Sequence, residues 1–327
     1  MERKVHIGVL GAANIAIRSV IPAIQQLNDC FELVGVASRE VAGSQSKLSH
    51  LNTKVVDGYS NILNRKYIDA VYIPLPNSLH YEWVKTALER GIHVLVEKSL
   101  ACTYDEVVEL NKIAEANNLV LIENFQFRFH SQLAYIRNLL LQGTLGDLRI
   151  VRSTFCFPPF PDPDNIRYQR ALGGGALLDA GAYPIKLSQL ILGNDLTVTS
   201  ATLNSGEDKG VDIWGGAYLK QRNGTLFSQV AFGFDNYYQC NLEIIGTKGK
   251  LFTNRIFTAG EKVKPLLLIE TQENGRQEIT LEPDNHFKNM LYYFYEVTTN
   301  VKEREQEYAA NINQARLLKK LREKSYE

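Results

Sequence analysis

The first 123 residues repeat one pattern, and that pattern leaves few folds open. Short apolar runs at residues 5–10, 33–38, 70–73, 93–96 and 120–122 alternate with amphipathic, helix-period stretches at 15–27, 81–90 and 103–117. Runs that are apolar throughout suit strands buried on both faces, with the intervening helices covering them. The rhythm predicts a doubly wound α/β domain built on a parallel sheet. Thr103-Tyr104-Asp105-Glu106 reads as an N-cap with a glutamate at the third helical position, which sets one helix start.

After Phe125 the pattern changes. Strand-like runs at 151–157, 197–203, 213–218, 226–234 and 242–245 are linked by turn signals such as Asn223-Gly224 and Lys248-Gly249. Helix-like stretches at 182–192, 286–302 and 311–323 interrupt them, and the last reads as a solvated surface helix. Residues 124–327 are therefore expected to form an α+β domain on a large, mainly antiparallel sheet. At 327 residues the chain is too long for one compact core, so two domains are the natural division.

Charge narrows the partners. Lys plus Arg and Asp plus Glu each total 36, and no basic block stands out, which argues against nucleic acid or an anionic membrane. Cys30, Cys102, Cys156 and Cys240 lie far apart without CxxC spacing, so free thiols in a reducing compartment are expected, and no metal site. Neither a signal-peptide core nor an apolar stretch of roughly 18 residues is visible. The expected location is cytoplasmic.

The first apolar run leads into Gly11-Ala12-Ala13-Asn14-Ile15-Ala16 and a helix. This is a dinucleotide fingerprint in which Gly11 makes the tight turn and Ala13 stands where backbone approaches a pyrophosphate. Its alternative is a glycine-poor strand-to-helix turn with no nucleotide. The second run ends Ser38-Arg39, where NAD-binding folds offer an acid to the ribose; a hydroxyl and a guanidinium suit a 2′-phosphate, favouring NADP(H) over NAD(H). An exposed strand-end arginine is the plain alternative. Two prolines stiffen Ile73-Pro74-Leu75-Pro76-Asn77-Ser78-Leu79-His80. Asn77 caps the next helix or bonds the cofactor, and for His80 packing at the helix start is favoured over a polar contact.

Two further segments carry chemistry. The apolar run Val94-Leu95-Val96 stops at Glu97-Lys98, at the strand end where doubly wound sheets place ligands, so the ammonium is a candidate proton donor or carbonyl polariser. The other reading is an ion pair that closes a strand. In the second half, Gly173-Gly174-Gly175 allow close backbone approach, and Asp179 and Tyr183 follow four residues apart, on one face of a helical path. A phenol there is a candidate acid; a glycine turn with a capping aspartate and a packed tyrosine is equally open. Phe157-Pro158-Pro159-Phe160-Pro161-Asp162-Pro163 suits either a stiff lip with aromatics for stacking or a surface connection, and Arg167 is a candidate phosphate ligand.

Taken together, the Gly11–Ala16 loop, Glu97-Lys98 and the Gly-Gly-Gly-x-x-x-Asp-x-Gly-x-Tyr run resemble the glucose-fructose oxidoreductase/inositol dehydrogenase/rhizopine catabolism (Gfo/Idh/MocA) family, over nearly the whole chain. The resemblance implies a Rossmann domain at 1–123 binding NADP(H), and a substrate-binding and oligomerisation domain at 124–327. It implies that Lys98 lies by the nicotinamide while Asp179 and Tyr183 face the substrate. The candidate cofactor positions are Gly11, Ala13, Asn14, Ile15, Ser38, Arg39, Pro74, Leu75, Asn77, His80, Glu97, Lys98, Asn124 and Arg167. Those for substrate are Lys98, Phe157, Tyr168, Asp179 and Tyr183. Ile73-Pro74-Leu75-Pro76, Glu123-Asn124-Phe125 and Ile166-Arg167-Tyr168-Gln169 are similar to the nucleotide-sugar 3-ketoreductases of deoxysugar biosynthesis. Two departures stand out: Ser99 replaces the family's proline after Lys98, and Ala13 replaces a glycine.

The resulting expectation is an NADP-dependent sugar oxidoreductase that reduces a 3-keto group of a nucleotide-activated deoxysugar. A free-sugar or trans-dihydrodiol dehydrogenase of the same family is the alternative, and a non-catalytic dinucleotide-binding redox sensor stands further off. The apolar positions Val230, Phe232 and Phe234 in the second sheet suggest a face too apolar for a monomer, hence a homodimer or homotetramer.

Overall fold

The structure is a computed structural model that describes residues 3–206 and 210–326. The chain divides into two compact units, one of Met1–Asn124 with Phe287–Ile312, the other of Phe125–His286 with Asn313–Glu327.

In the first unit, β1 (Val5–Leu10), β2 (Phe31–Ser38), β3 (Val55–Asp57), β4 (Ala70–Ile73), β5 (His93–Glu97) and β6 (Leu121–Asn124) form one sheet in the order β3-β2-β1-β4-β5-β6. All of its pairings are parallel. Its helices are α1 (Ile21–Gln26), α2 (Val41–Leu48), α3 (Tyr59–Leu63), α4 (Asn77–Glu89) and α5 (Tyr104–Ala116). The apolar runs are apolar because both faces are covered: Ile7, Val9, Val71, Ile73, Val94 and Val96 are all fully buried. Strand order reverses between β1 and β4, so the crevice beyond the carboxyl ends of these strands is where such sheets receive ligands. The Thr103–Glu106 capping box is present at the start of α5.

The second unit carries α6 (Ser131–Leu141), α7 (Ala182–Leu192) and eight strands. These are β7 (Leu148–Cys156), β8 (Leu196–Asn204), β9 (Trp214–Gln221), β10 (Phe227–Gly233), β11 (Gln239–Gly246), β12 (Gly249–Thr253), β13 (Leu266–Thr271) and β14 (Gly275–Thr280). Their order is β14-β13-β12-β11-β7-β10-β9-β8, antiparallel except for β7 beside β10. Val151 and Phe155 of β7 with Val230 and Phe232 of β10 are buried on the face that α7 covers, and Ser188 of α7 bonds Ser228 at 2.7 Å. Val230, Phe232 and Phe234 are only 4%, 1% and 0% exposed, so they belong to the core and say nothing about an open face. Alternation along each strand puts different residues outward. Trp214 is 42% exposed and Phe252 36%, and Tyr218 stacks on Phe227 at 4.8 Å. A groove of about 460 Å³ opens there, lined by Thr202, Trp214, Gly216, Tyr218 and Ala231 among others.

Two helices complete the fold, α8 (His286–Val297) and α9 (Val301–Lys324). Placing everything after residue 123 in one domain misses that 287–312 return to the first unit. The reason lies at the end of the parallel sheet. Arg304 donates to the Asn118 carbonyl and side chain, both at 2.7 Å, and Asn311 donates to the Leu121 carbonyl at 3.0 Å. Nor is the last helix a solvated surface element. Asn311, Gln314, Leu317 and Leu321 are buried, because its charged residues flank a stripe that packs inward.

Candidate active site

Each unit presents one cluster of the expected residues. In the first, Gly11 adopts φ +116°, and a Cβ there would lie 2.9 Å from Leu75 Cδ2. The turn needs glycine because only glycine takes that conformation without strain and because Leu75 is so close. The chain then winds through a π-helical turn, Ala16–Val20, into α1. No side chain caps this helix start, Asn14 is exposed and Ala13 half-buried. Uncapped amides at a helix start form a ready anion site, so this turn fits a dinucleotide pyrophosphate.

At the end of β2, Ser38 is mostly committed. Its hydroxyl donates to the Glu40 carbonyl at 2.9 Å and lies 2.7 Å from Ser44 Oγ. Arg39 is exposed, its guanidinium 5.9 Å from the Tyr59 ring centroid. The neighbouring acid, Glu40, instead caps α2 by accepting the Gly43 amide at 3.0 Å. A guanidinium is thus offered at the strand end while the carboxylate is engaged elsewhere, which suits a ribose phosphate.

Lys98 is half-buried, and its ammonium acts electrostatically on both Glu97 and His80. Glu97 Oε1 accepts from the Tyr72 hydroxyl and from Asn124 Nδ2, both at 2.7 Å. Burial pushes the Glu97 carboxyl up, against the pull of those donors and of Lys98. Asn124 is fully buried and donates to Glu97, so it supports the strand end. The Lys98–Ser99 peptide bond is cis. The Ser99 amide donates to Asn77 Oδ1 at 3.2 Å and the Leu100 amide to Glu123 Oε1 at 3.0 Å. His80 places Nδ1 2.7 Å from the Ser99 carbonyl and Nε2 2.7 Å from the Leu75 carbonyl. Fully buried with both nitrogens so engaged, its ring offers a cofactor nothing. Two carbonyls favour an imidazolium; burial outweighs them and, with Lys98, lowers the ring to about 4. At neutral pH one nitrogen donates and the other meets its carbonyl without a proton.

In the second unit, a π-helical turn, Leu177–Gly181, carries Asp179 and feeds α7, which starts with Tyr183 in its first turn. The glycines ahead of it are needed by the chain itself. A Cβ on Gly174 would lie 2.5 Å from the Arg167 carbonyl oxygen, and one on Gly175 would lie 2.6 Å from Asp212 Oδ1. The Asp212 carboxylate accepts the Leu177 amide at the start of this helical stretch, a support the sequence reading missed because it lies 35 residues away. Burial pushes that carboxyl up.

Asp179 Oδ2 accepts from Arg167 Nε at 2.7 Å, so this pair forms within the second unit. The Asp179 carboxylate drives the guanidinium's pKa still higher, with smaller contributions from Tyr183 and Tyr168. Arg167 also lies 4.8 Å from the Phe160 ring centroid. Tyr168 accepts the Phe160 amide at 2.9 Å, which ties its hydroxyl to the proline-rich loop. Phe157 packs among Phe155, Phe160, Phe234 and Tyr238.

The Tyr183 ring is held edge-on by Phe125, Phe155 and Phe257, with centroids 5.0 to 5.6 Å away. Its hydroxyl sits 3.4 Å from both Gln126 Oε1 and Nε2, an amide able to give or take the phenol's hydrogen bond. Gln126 was not picked out from the sequence, and nothing in its spacing marks it. Lys186 was also missed: it is 2% exposed, its ammonium 5.3 Å from the Phe125 ring centroid. A lysine three residues past Tyr183 on an apolar helix was the available signal.

Residues 5–125 match the family described as "Oxidoreductase family, NAD-binding Rossmann fold" (GFO_IDH_MocA), and residues 133–252 match the GFO/IDH/MocA C-terminal domain. The chain is 36% identical over 301 residues to dTDP-3,4-didehydro-2,6-dideoxy-alpha-D-glucose 3-reductase of Actinomadura kijaniata, covering 92% of this chain and 90% of that one. It is 38% identical to the enzyme of the same name from Saccharopolyspora spinosa over 294 residues, 90% and 87% of the two chains. Among solved structures it is similar to KijD10, a 3-ketoreductase from Actinomadura kijaniata in complex with NADP and TDP-benzene. That match has a TM-score of 0.92 and 34% identity, and covers 98% of both chains.

Proposed function

The chain belongs to the GFO/IDH/MocA oxidoreductase family, and on that premise we propose that it is an NADP-dependent nucleotide-sugar 3-ketoreductase. The reading is carried by full-length similarity to 3-reductases of dTDP-didehydro-dideoxyglucose, joined to an Arg39 whose neighbouring acid is turned into a helix cap. Residues 1–124 with 287–312 hold the cofactor and the second unit holds the sugar nucleotide.

Gly11, Ala13, Asn14 and Ile15 would receive the pyrophosphate on the uncapped helix start, Arg39 the 2′-phosphate, with Ser38 bracing the strand end through Glu40, and Pro74, Leu75 and Asn77 the nicotinamide end. NADPH supplies the hydride. Lys98, offered at the end of β5, polarises the ketone oxygen, and Tyr183 delivers the proton that the new alkoxide takes up. Gln126 Nε2, by donating to the phenol oxygen, leaves the phenol's O–H for that ketone oxygen, and Asp179 fixes Arg167, whose remaining N–H donors suit a substrate phosphate. Phe157 and Tyr168 line the same unit as aromatic walls. Glu97 and Asn124 support Lys98 from the strand end.

The deciding assay follows NADPH oxidation with a dTDP-3-keto-6-deoxysugar made in situ, alongside NADP reduction with free sugars and with a trans-dihydrodiol. Turnover confined to the nucleotide ketone is expected; turnover only with free sugars or diols would replace this reading by a dehydrogenase. We also propose a homo-oligomer that pairs two copies through the outward sheet face bearing Trp214, Tyr218, Phe227 and Phe252. A monomer by light scattering at micromolar concentration overturns this. Among the described residues no helix is long and apolar enough to cross a membrane, and four free cysteines suit the cytoplasm.

A further inference from the structure

We propose that His80, with Asn77, is a positioning residue for Lys98, gripping the backbone of Ser99 so that the ammonium is presented from a fixed root. This deepens the ketoreductase reading and rests on it for the role of Lys98. The grip is two-sided. Asn77 Oδ1 takes the Ser99 amide at 3.2 Å, and His80 Nδ1 meets the Ser99 carbonyl at 2.7 Å. Asn77 and His80 stand three residues apart in the first turn of α4, so one helix face holds both ends of one residue. The next amide, Leu100, is tied to Glu123. On the other side, Glu97 pairs with Asn124 in the sheet and is bonded through its carboxylate to Tyr72 and Asn124.

Residues 97, 99 and 100 are thus each fastened by side chains from other elements. A lysine side chain is long and flexible, so the precision of its ammonium depends on the backbone that carries it. Proline, which the resemblance places after this lysine, has no amide to give Asn77; Ser99 has one and Asn77 accepts it. The same His80 ring reaches the Leu75 carbonyl at 2.7 Å, and the Leu75 side chain is the one that crowds Gly11. With its single proton on Nδ1, the neutral ring donates to the Ser99 carbonyl and lies against the Leu75 carbonyl without bonding it, so it packs between the loop after β4 and the loop after β5 that carries Lys98.

The test is a cycle of parent, His80→Phe, Lys98→Met and the double variant, assayed with NADPH and the 3-keto nucleotide sugar. Phenylalanine keeps the ring's bulk and removes both nitrogens. Alone it should lower kcat about 10- to 100-fold, the scale of a misplaced catalytic group, with the Kd for NADPH within about threefold of the parent. In the Lys98→Met background it should change kcat less than about threefold, because the group it positions is gone. A full multiplicative loss in that background, or a parental kcat for His80→Phe alone, overturns the proposal. Hydrogen exchange read by mass spectrometry supplies a measure independent of activity. Amides of the 97–101 segment should exchange at least tenfold faster in His80→Phe; unchanged protection overturns the clamp even if the parent proves to reduce some other carbonyl. If His80→Phe does not fold, His80→Gln, which keeps one amide donor, takes its place with a smaller kcat loss and the same dependence on Lys98.

Discussion

Two glycine turns in this protein lead into π-helical turns, and they are built for opposite purposes. At Gly11 the close neighbour is the flexible tip of Leu75, the helix start beyond it has no side-chain cap, and Asn14 is exposed. At Gly174 and Gly175 the close neighbours are the Arg167 carbonyl and the Asp212 carboxylate, which also takes the Leu177 amide. The first turn spends the Gly11 amide on the Ala37 carbonyl but has no side chain capping the helix start beyond it; the second caps its own with Asp212. A glycine-rich turn is therefore no guide to where a ligand's phosphates go until its amides are accounted for. In the second unit the candidates for chemistry are side chains, Asp179 and Tyr183, that the filled turn holds in place.

The strongest test of that contrast is Tyr183→Phe, which keeps the packing with Phe125, Phe155 and Phe257. Steady-state turnover should fall by roughly 10²- to 10⁴-fold with NADPH affinity near parental. Parental turnover would show that the second unit supplies no acid. Next come the two turns themselves. Gly174→Ala forces a methyl onto a backbone carbonyl and should destabilise by about 2–3 kcal/mol in urea unfolding, the scale of an overpacked core, while the folded fraction binds NADPH normally. Gly11→Ala should cost about 1–2 kcal/mol for its left-handed backbone yet weaken NADPH binding tenfold or more by titration. The reverse pattern breaks the comparison.

Acid should act on both units. His80 in the first and His286 in the second are buried, and burial holds each at about 4 against an ordinary 6.5. The unfolded chain takes up protons first, so their contribution is complete above pH 6.5 and is lost as pH falls toward 4. Between pH 7.5 and 5 each ring should cost about 2 kcal/mol of stability, seen as a falling Tm, and His286→Phe should remove its share of the slope. Glu97 and Asp212, raised by burial, act in the opposite direction, so a Tm that rises steadily on acidification would mean that they dominate. The smallest expected effect is Arg39→Asp, which should lower the preference for NADPH over NADH by about tenfold, one charge-assisted contact's worth, in parallel titrations. An unchanged preference would move the 2′-phosphate away from β2.

Much of the frame was legible. β1 and β4 fall where the apolar runs place them, as does α7, because burial on both faces or all round keeps these segments mostly apolar. β3 was not visible, since Val55-Val56-Asp57 is too short to show a period, and the exposed β14 alternates too little to stand out. Lys98, Asp179 and Tyr183 stand out as candidates by their place in the pattern, whereas Gln126, Lys186 and Asp212 do not, because each acquires meaning only from a neighbour distant in sequence.

By itself the sequence determined the alternation of a parallel sheet with its helices, the open sheet of the second half, and which residues are candidates for the chemistry. Those depend on local period and on residue type. Only the tertiary structure decided that 287–312 rejoin the first unit, that Val230, Phe232 and Phe234 are core, and that His80 serves backbone carbonyls. The first and last of these turn on which buried polar group finds which partner, from 5 residues away for His80 to 190 for Asn311. That pairing is settled by the requirement that every buried donor be satisfied, and no local pattern records it.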